Sequence, residues 1–160
     1  MPSTLITGAN RGLGLEFGRQ YLADGWQVYA ASRKPQSASE LRRLAGASDE
    51  KLQILALYVT DPMSVQAAAA ELNGQAIDLL LNNAGIGGPR GQTIGNIDYE
   101  AWAKVLDVNT MAPPCAFLKH SLTTWREANA NLSSPLPAAW DRLLTSLQEA
   151  RSPIGAQKPR

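Results

Sequence analysis

The residues best suited to chemistry come early in the chain. Thr7-Gly8-Ala9-Asn10-Arg11-Gly12-Leu13-Gly14 places three glycines in one turn, between a short apolar run and a segment of helical period. Glycine reaches backbone angles closed to other residues and lets N–H groups approach an anion, while a helix start carries roughly half a positive charge. Together they make a cradle for a pyrophosphate. Farther on, Ser32-Arg33-Lys34 follows a second apolar run, about twenty residues past the turn, where a carboxylate would hold both hydroxyls of an NAD ribose. No carboxylate stands there. Ser32 can donate to a 2′-phosphate and Arg33 can pair with it through two parallel N–H groups, with Arg11 as a second cation nearby. That combination favours NADP(H) over NAD(H); the plainer reading is a solvated basic turn. Asn82-Asn83-Ala84-Gly85 ends a later apolar run and delivers two amides and a glycine to the same edge, where ligands of parallel sheets bind.

These motifs need elements to hold them. Apolar runs of strand length at 3–7, 27–32, 52–59 and 77–82 alternate with segments of helical period, the pattern of repeated βα units on a parallel sheet. Leu13, Phe17 and Tyr21 recur at four-residue spacing on a first helix that Gly25 can end. A second helix is expected over about 39–45. The third opens at Asp61-Pro62, a capping aspartate followed by proline at the first helical position, and runs through the alanines 67–70 to Leu72. The fourth begins near Asp98, with Tyr99, Trp102, Val105 and Leu106 on one face, and stops at Pro113-Pro114.

Composition limits the alternatives. A chain of 160 residues with 44% hydrophobic side chains suits one globular domain and cannot hold two. No apolar run approaches the ~20 residues that cross a bilayer, and the N-terminus lacks the features of a secretory signal, so the expected compartment is the cytoplasm. A single cysteine, Cys115, and a single histidine, His120, argue against a disulfide framework and against metal catalysis. A net charge of +1 leaves no electrostatic footprint for nucleic acid or an anionic membrane.

The composition changes near residue 112. Residues 1–111 hold twelve of the thirteen glycines and all five valines, whereas residues 112–160 hold six of the ten prolines and one β-branched aliphatic residue, Ile154. A buried parallel strand draws on Val and Ile, so the tail is not expected to supply one. We therefore expect an incomplete dinucleotide-binding unit at 1–111 and a divergent tail at 112–160, with Leu143, Leu144 and Leu147 spaced for a local helix. Cys115 and His120 carry no recognisable catalytic constellation. Without further strands beside it, the strand at 77–82 would form a raw edge, leaving Leu79, Leu80 and Leu81 poorly covered and the fold marginal.

Over about residues 3–112 the sequence resembles the classical short-chain dehydrogenase/reductase family, more narrowly its C-factor-like branch. The resemblance rests on the glycine motif from Thr7 to Gly14, on Asn82-Asn83-Ala84-Gly85 and on Val108-Asn109-Thr110, in that order and at the family's intervals. It implies an α/β Rossmann-type doubly wound parallel sheet, of which this chain carries only the N-terminal part, about four strands, followed by an irregular or helical tail. It implies carbonyl/alcohol hydride transfer on a small molecule. It also implies that Gly8, Gly12, Leu13 and Gly14 line the pyrophosphate site, with Asn10 in the same turn, and that Asn83, Ala84 and Gly85 lie against the ribose and nicotinamide. Asn109 corresponds to the catalytic asparagine that helps hold a water in a proton relay. One departure is Tyr58, before Val59, where the family usually has an aspartate; Tyr58 can stack on adenine but offers no carboxylate acceptor.

The larger departure is catalytic. The family's chemistry uses a tyrosine, a lysine four residues later that depresses its pKa, and an upstream serine. Four residues after Tyr21, Tyr29, Tyr58 and Tyr99 stand Gly25, Arg33, Pro62 and Ala103, so no Tyr-x-x-x-Lys exists in the chain. One hypothesis is a shifted reading frame. Read with an offset that begins near Ala112, codons compatible with residues 132–142 can encode Val-Val-Thr-Ile-Ser-Ser-Arg-Met-Gly-Ser, and those for 153–159 can encode Tyr-Arg-Ser-Ser-Lys-Ala. A genuine alternative C-terminus is the competitor, and the nucleotide sequence across the codons of Ala112 to Cys115 decides between them. Three functional readings follow: an NADP(H)-type oxidoreductase by descent that is catalytically defective as given, a non-catalytic nucleotide-binding or signalling module, or a truncated product with no stable function. Substrate and oligomeric state are left open by the sequence.

Overall fold

The structure, a computed structural model, describes residues 1–72 and 74–112. Residues 113–160, with Cys115, His120, the proline pair at 113–114 and the leucines proposed as a tail helix, lie outside the described residues.

The four expected strands are present as β1 (Ser3–Thr7), β2 (Gln27–Ser32), β3 (Leu52–Ala56) and β4 (Leu79–Leu81). All pair in parallel, in the order β3-β2-β1-β4. The helices are α1 (Gly12–Ala23), α2 (Ser39–Gly46), α3 (Pro62–Glu71) and α4 (Tyr99–Leu106). The chain builds outward from β1 through β2 to β3, then crosses back to place β4 on the other side of β1. That reversal creates a crevice at the carboxyl ends of β1 and β4, the point where ligands of doubly wound sheets sit.

Burial explains the layering. β1 is buried at every position, as a central strand covered on both faces must be. On one face Ile6, Phe17, Tyr21, Val28 and Leu41 pack with α1 and α2; on the other Leu5, Tyr29, Leu55, Val65 and Ile77 pack with α3. The Tyr21 ring meets Trp26 edge-on at 5.0 Å. Among the described residues β4 lies at the sheet's edge; Leu81 is buried there, and Leu79 and Leu80 are half-covered.

Two parts of the helical reading change. Leu13 shares the spacing of Phe17 and Tyr21 but is 51% exposed, and Leu15 is buried in its stead. Gly12 starts the helix, so Leu13 lies in the first turn beside the crevice, and the apolar core stripe begins two positions later, at Leu15. On α4 the expected apolar face is present, but Tyr99, Trp102 and Leu106 are exposed, with Tyr99 and Trp102 rings 6.1 Å apart.

Glu50 occupies the left-handed region at φ +63°, in the turn that feeds β3. A long side chain is disfavoured there, so Glu50→Gly is expected to stabilise the protein by about 1 kcal/mol, read as a higher urea midpoint.

Candidate functional site

Thr7 ties the two strand ends of the crevice together. Its hydroxyl accepts from the main-chain N–H of Asn83 at 3.0 Å and of Ala84 at 2.9 Å, and donates to the Leu81 carbonyl at 3.3 Å. The Asn83 side chain completes the junction, with Nδ2 donating to the Thr7 carbonyl at 2.9 Å and to the Gly8 carbonyl at 3.2 Å. The glycine turn is thus bolted to the loop after β4. Thr7→Val keeps the shape but strands the Ala84 N–H, that of Asn83 keeping its 3.0 Å bond to the Leu81 carbonyl, and is expected to lower stability by about 1–3 kcal/mol in urea denaturation.

Gly8 and Gly14 are required by contact. Gly8 sits at φ +68°, and a Cβ there would lie 2.8 Å from the Ala84 Cα. A Cβ at Gly14 would lie 2.5 Å from both the Gly8 carbonyl oxygen and Asn83 Nδ2. Gly12, at φ +57°, has nothing within 4 Å of its Cβ position, so it is there for its backbone angle alone. α3 and α4 begin under capping aspartates, Asp61 accepting from the Met63 N–H and Asp98 from the Ala101 N–H. The start of α1, at Arg11, has no side-chain cap. Its first-turn donors therefore face the crevice free of any capping side chain, with the positive end of the helix behind them.

The crevice opens into a cavity of about 550 Å³, a size suited to a small-molecule ligand. Gly8, Asn10, Arg11, Gly12, Leu13 and Gly14 form one wall; Asn83, Ala84 and Gly85 form another; Arg33, Tyr58 and Val59 close the far end. Of the residues singled out from sequence for cofactor contact, only Ser32 is absent from the lining. It is 3% exposed, with a buried hydroxyl that finds no protein partner, so it stands behind the cavity wall. Sequence reasoning missed Leu57, Thr60, Ile86, Lys104 and Val108, which also border the cavity. Lys104 and Val108 are four apart, a helical repeat that could have been noticed opposite the aromatic face of α4. Among the described residues, three cations, Arg11, Arg33 and Lys104, border the cavity and no carboxylate does.

Asn109 lies just beyond the lining. Its Oδ1 accepts from the Ile86 N–H at 2.9 Å and its Nδ2 donates to the Ile86 carbonyl at 3.0 Å. Here the helix changes character: after Leu106 it widens into a π-helical turn, Asp107–Met111, which the spacing alone did not suggest. Such turns are frequent at functional sites, and this one holds Asn109 against the loop after β4.

The order reversal, the clash-limited glycine turn and the uncapped helix start define a Rossmann-type α/β protein with an anion-receptive crevice. The short chain dehydrogenase family model matches residues 3–125, past the compositional change near 112, and the chain belongs to that family. The chain is 39% identical over 90 residues to (+)-neomenthol dehydrogenase of Arabidopsis thaliana, covering 52% of this chain and 30% of that protein. It is 37% identical over 112 residues to retinol dehydrogenase 5 of Homo sapiens, covering 68% of this chain and 34% of that one. Among solved structures, the NADPH-bound carbonyl reductase from chicken fatty liver superposes with a TM-score of 0.69 at 40% identity, over 78% of this chain and 48% of that one. An NADP complex of a carbonyl reductase from Pseudomonas aeruginosa gives 0.68 at 28% identity, over 96% and 78%. The chain thus spans about a third of the curated relatives described here. No helix among the described residues is long and apolar enough to cross a membrane.

Proposed function

We propose that the chain binds a nicotinamide dinucleotide in this crevice, NADP(H) in preference to NAD(H), as the cofactor half of an oxidoreductase acting on a small-molecule carbonyl or alcohol. The observation that carries the proposal is Gly14, where no side chain fits between Gly8 and Asn83, so that the turn and the uncapped start of α1 pack directly against the loop after β4 at the crevice. A pyrophosphate needs that close approach and those free donors. When bound, the cofactor supplies the hydride chemistry; the residues described here bind and orient it. Gly8, Gly12 and Gly14 shape the phosphate cradle, Arg11 adds charge beside it, and Ala84 and Gly85 form the wall toward the nicotinamide. The NADP-bound carbonyl reductases among the structural neighbours support this reading.

Arg33 is the proposed partner of the 2′-phosphate. It borders the cavity and, among the described residues, forms no ion pair with a carboxylate. Ser32 is placed too deep to share the role. Arg33→Ala is therefore expected to weaken NADPH binding about 10- to 100-fold while changing NADH binding little, since a charge-assisted pair contributes about 1.5–3 kcal/mol. Ser32→Ala should leave both affinities within about twofold. Equal losses for the two cofactors in Arg33→Ala would remove the phosphate assignment.

Asn109 is proposed as a positioning residue. Each end of its carboxamide already bonds Ile86, so a water could use only the second lone pair of Oδ1 or the second hydrogen of Nδ2. We further propose that the chain as given lacks turnover, because nothing in it supplies the tyrosine and lysine pair.

A further inference from the structure

We infer that Lys104 steers the anionic cofactor into the crevice by its charge acting across solvent, and so speeds the arrival of NADPH more than that of NADH while leaving departure unchanged. The inference rests on the dinucleotide reading of the crevice and concerns how the cofactor enters it.

Lys104 and Val108 stand four residues apart, one helical turn, and both border the cavity. Val108 is half-buried, whereas Lys104 is exposed, which puts its ammonium at the rim. Glu100 and Asp107 lie four residues before it and three after, the spacings at which helix charges pair. Neither holds it in an ion pair. Among the described residues the Lys104 charge is therefore left to the cavity. An exposed ammonium is strongly hydrated and gains little from any single contact, so its influence is carried by its field.

The surroundings give that field its weight. The chain as a whole has a net charge of +1, too small to draw an anion from a distance. At the cavity the balance is local and one-sided: Arg11 from the glycine turn, Arg33 from the end of β2 and Lys104 from α4 border it, with no Asp or Glu among the described lining residues. Arg11 and Arg33 are the proposed partners of the phosphates; Lys104 stands on a separate element. A sphere of the cavity's volume, about 550 Å³, is about 10 Å across. At that range a unit charge still acts through water when the Debye length is ~30 Å, and is screened out when it is ~3 Å. NADH carries two negative charges on its pyrophosphate, and the 2′-phosphate of NADPH adds about two more. The energy scales with the charge of the ligand, so the logarithm of the rate effect about doubles from NADH to NADPH. A rim charge of this kind changes association and its salt dependence, whereas a desolvated ion pair changes dissociation.

The test is stopped-flow mixing of the full-length protein with NADH or NADPH, followed by nicotinamide fluorescence, at ionic strengths of ~10 mM and ~1 M. At low salt Lys104→Gln is expected to slow association of NADH about threefold and of NADPH about sevenfold, with dissociation rates within about 1.5-fold. Lys104→Arg restores both rates, and at high salt all three proteins agree. Unchanged association at low salt overturns the inference, as does equal slowing of the two cofactors. A loss that falls on dissociation or persists at high salt also overturns it, since either marks a direct contact. If neither cofactor binds the unaltered protein, the dinucleotide reading fails, and the steering role with it.

Discussion

Gly14→Ala is expected to weaken NADPH binding by at least about 100-fold, the equivalent of losing two charge-assisted hydrogen bonds from the phosphate cradle. The added methyl would stand 2.5 Å from two atoms that already bond each other, Asn83 Nδ2 and the Gly8 carbonyl oxygen. One is backbone in the turn itself, and the other is a short amide held by a second bond to the Thr7 carbonyl. Neither can yield without pulling the turn off β4. Overpacking of this kind also costs about 1–3 kcal/mol of stability, so the titration belongs beside a urea melt. Gly12→Ala separates the two causes. Its Cβ meets nothing within 4 Å, so only the strain of φ +57° is felt, about 1–2 kcal/mol, and binding should fall by less than about tenfold. Equal effects at the two positions would mean that the packing at Gly14 is not what opens the cradle.

The second large effect is an absence of turnover from a chain that binds cofactor. A positioned general acid contributes about 10²–10⁴ in rate, and the four tyrosines offer no candidate with a lysine four residues on. Tyr21 and Tyr29 are buried in the core clusters, and burial pushes the Tyr29 phenol above its ordinary pKa, away from use near neutrality. Tyr58 borders the cavity beside Arg33, and Tyr99 projects from the exposed side of α4 without bordering it. Mixing excess protein with NADPH and a panel of small ketones and aldehydes should give no consumption of NADPH above the protein-free rate over a single turnover. Turnover at about 1 s⁻¹ or faster would show that an acid–base group is supplied by other residues.

Much of the scaffold is legible in the residues themselves. β1 and β2 run over the expected ranges, since β1 is buried at every position and β2 at every position but Gln27, their polar residues included. The ends of β3 and β4 depart, for reasons that lie in tertiary contacts. β3 stops at Ala56 because Leu57 makes one more bond, to the Ser32 carbonyl, and then Tyr58 turns to Ser64. β4 is shortened at its start because Asp78 is engaged with Ser3, whose N–H donates to Asp78 Oδ2 at 2.7 Å. Glycine, asparagine and arginine at the cradle announce themselves by type and spacing. Thr7 does not, since a hydroxyl that joins two strand ends becomes visible only when residues 76 and 77 apart in sequence are brought together. The burial of Ser32 is hidden for the same reason: alternation along β2 cannot tell which side of the strand end will be capped by the β3 loop.

The claim on which the rest depends is that the crevice between β1 and β4 takes a dinucleotide. Titrating the 160-residue chain with NADPH at low salt, by isothermal calorimetry with nicotinamide fluorescence alongside, tests it directly. We expect saturable binding of one cofactor per chain, abolished over the same range by Gly14→Ala. A chain that is folded by circular dichroism yet gives no heat and no fluorescence change at millimolar NADPH would contradict it.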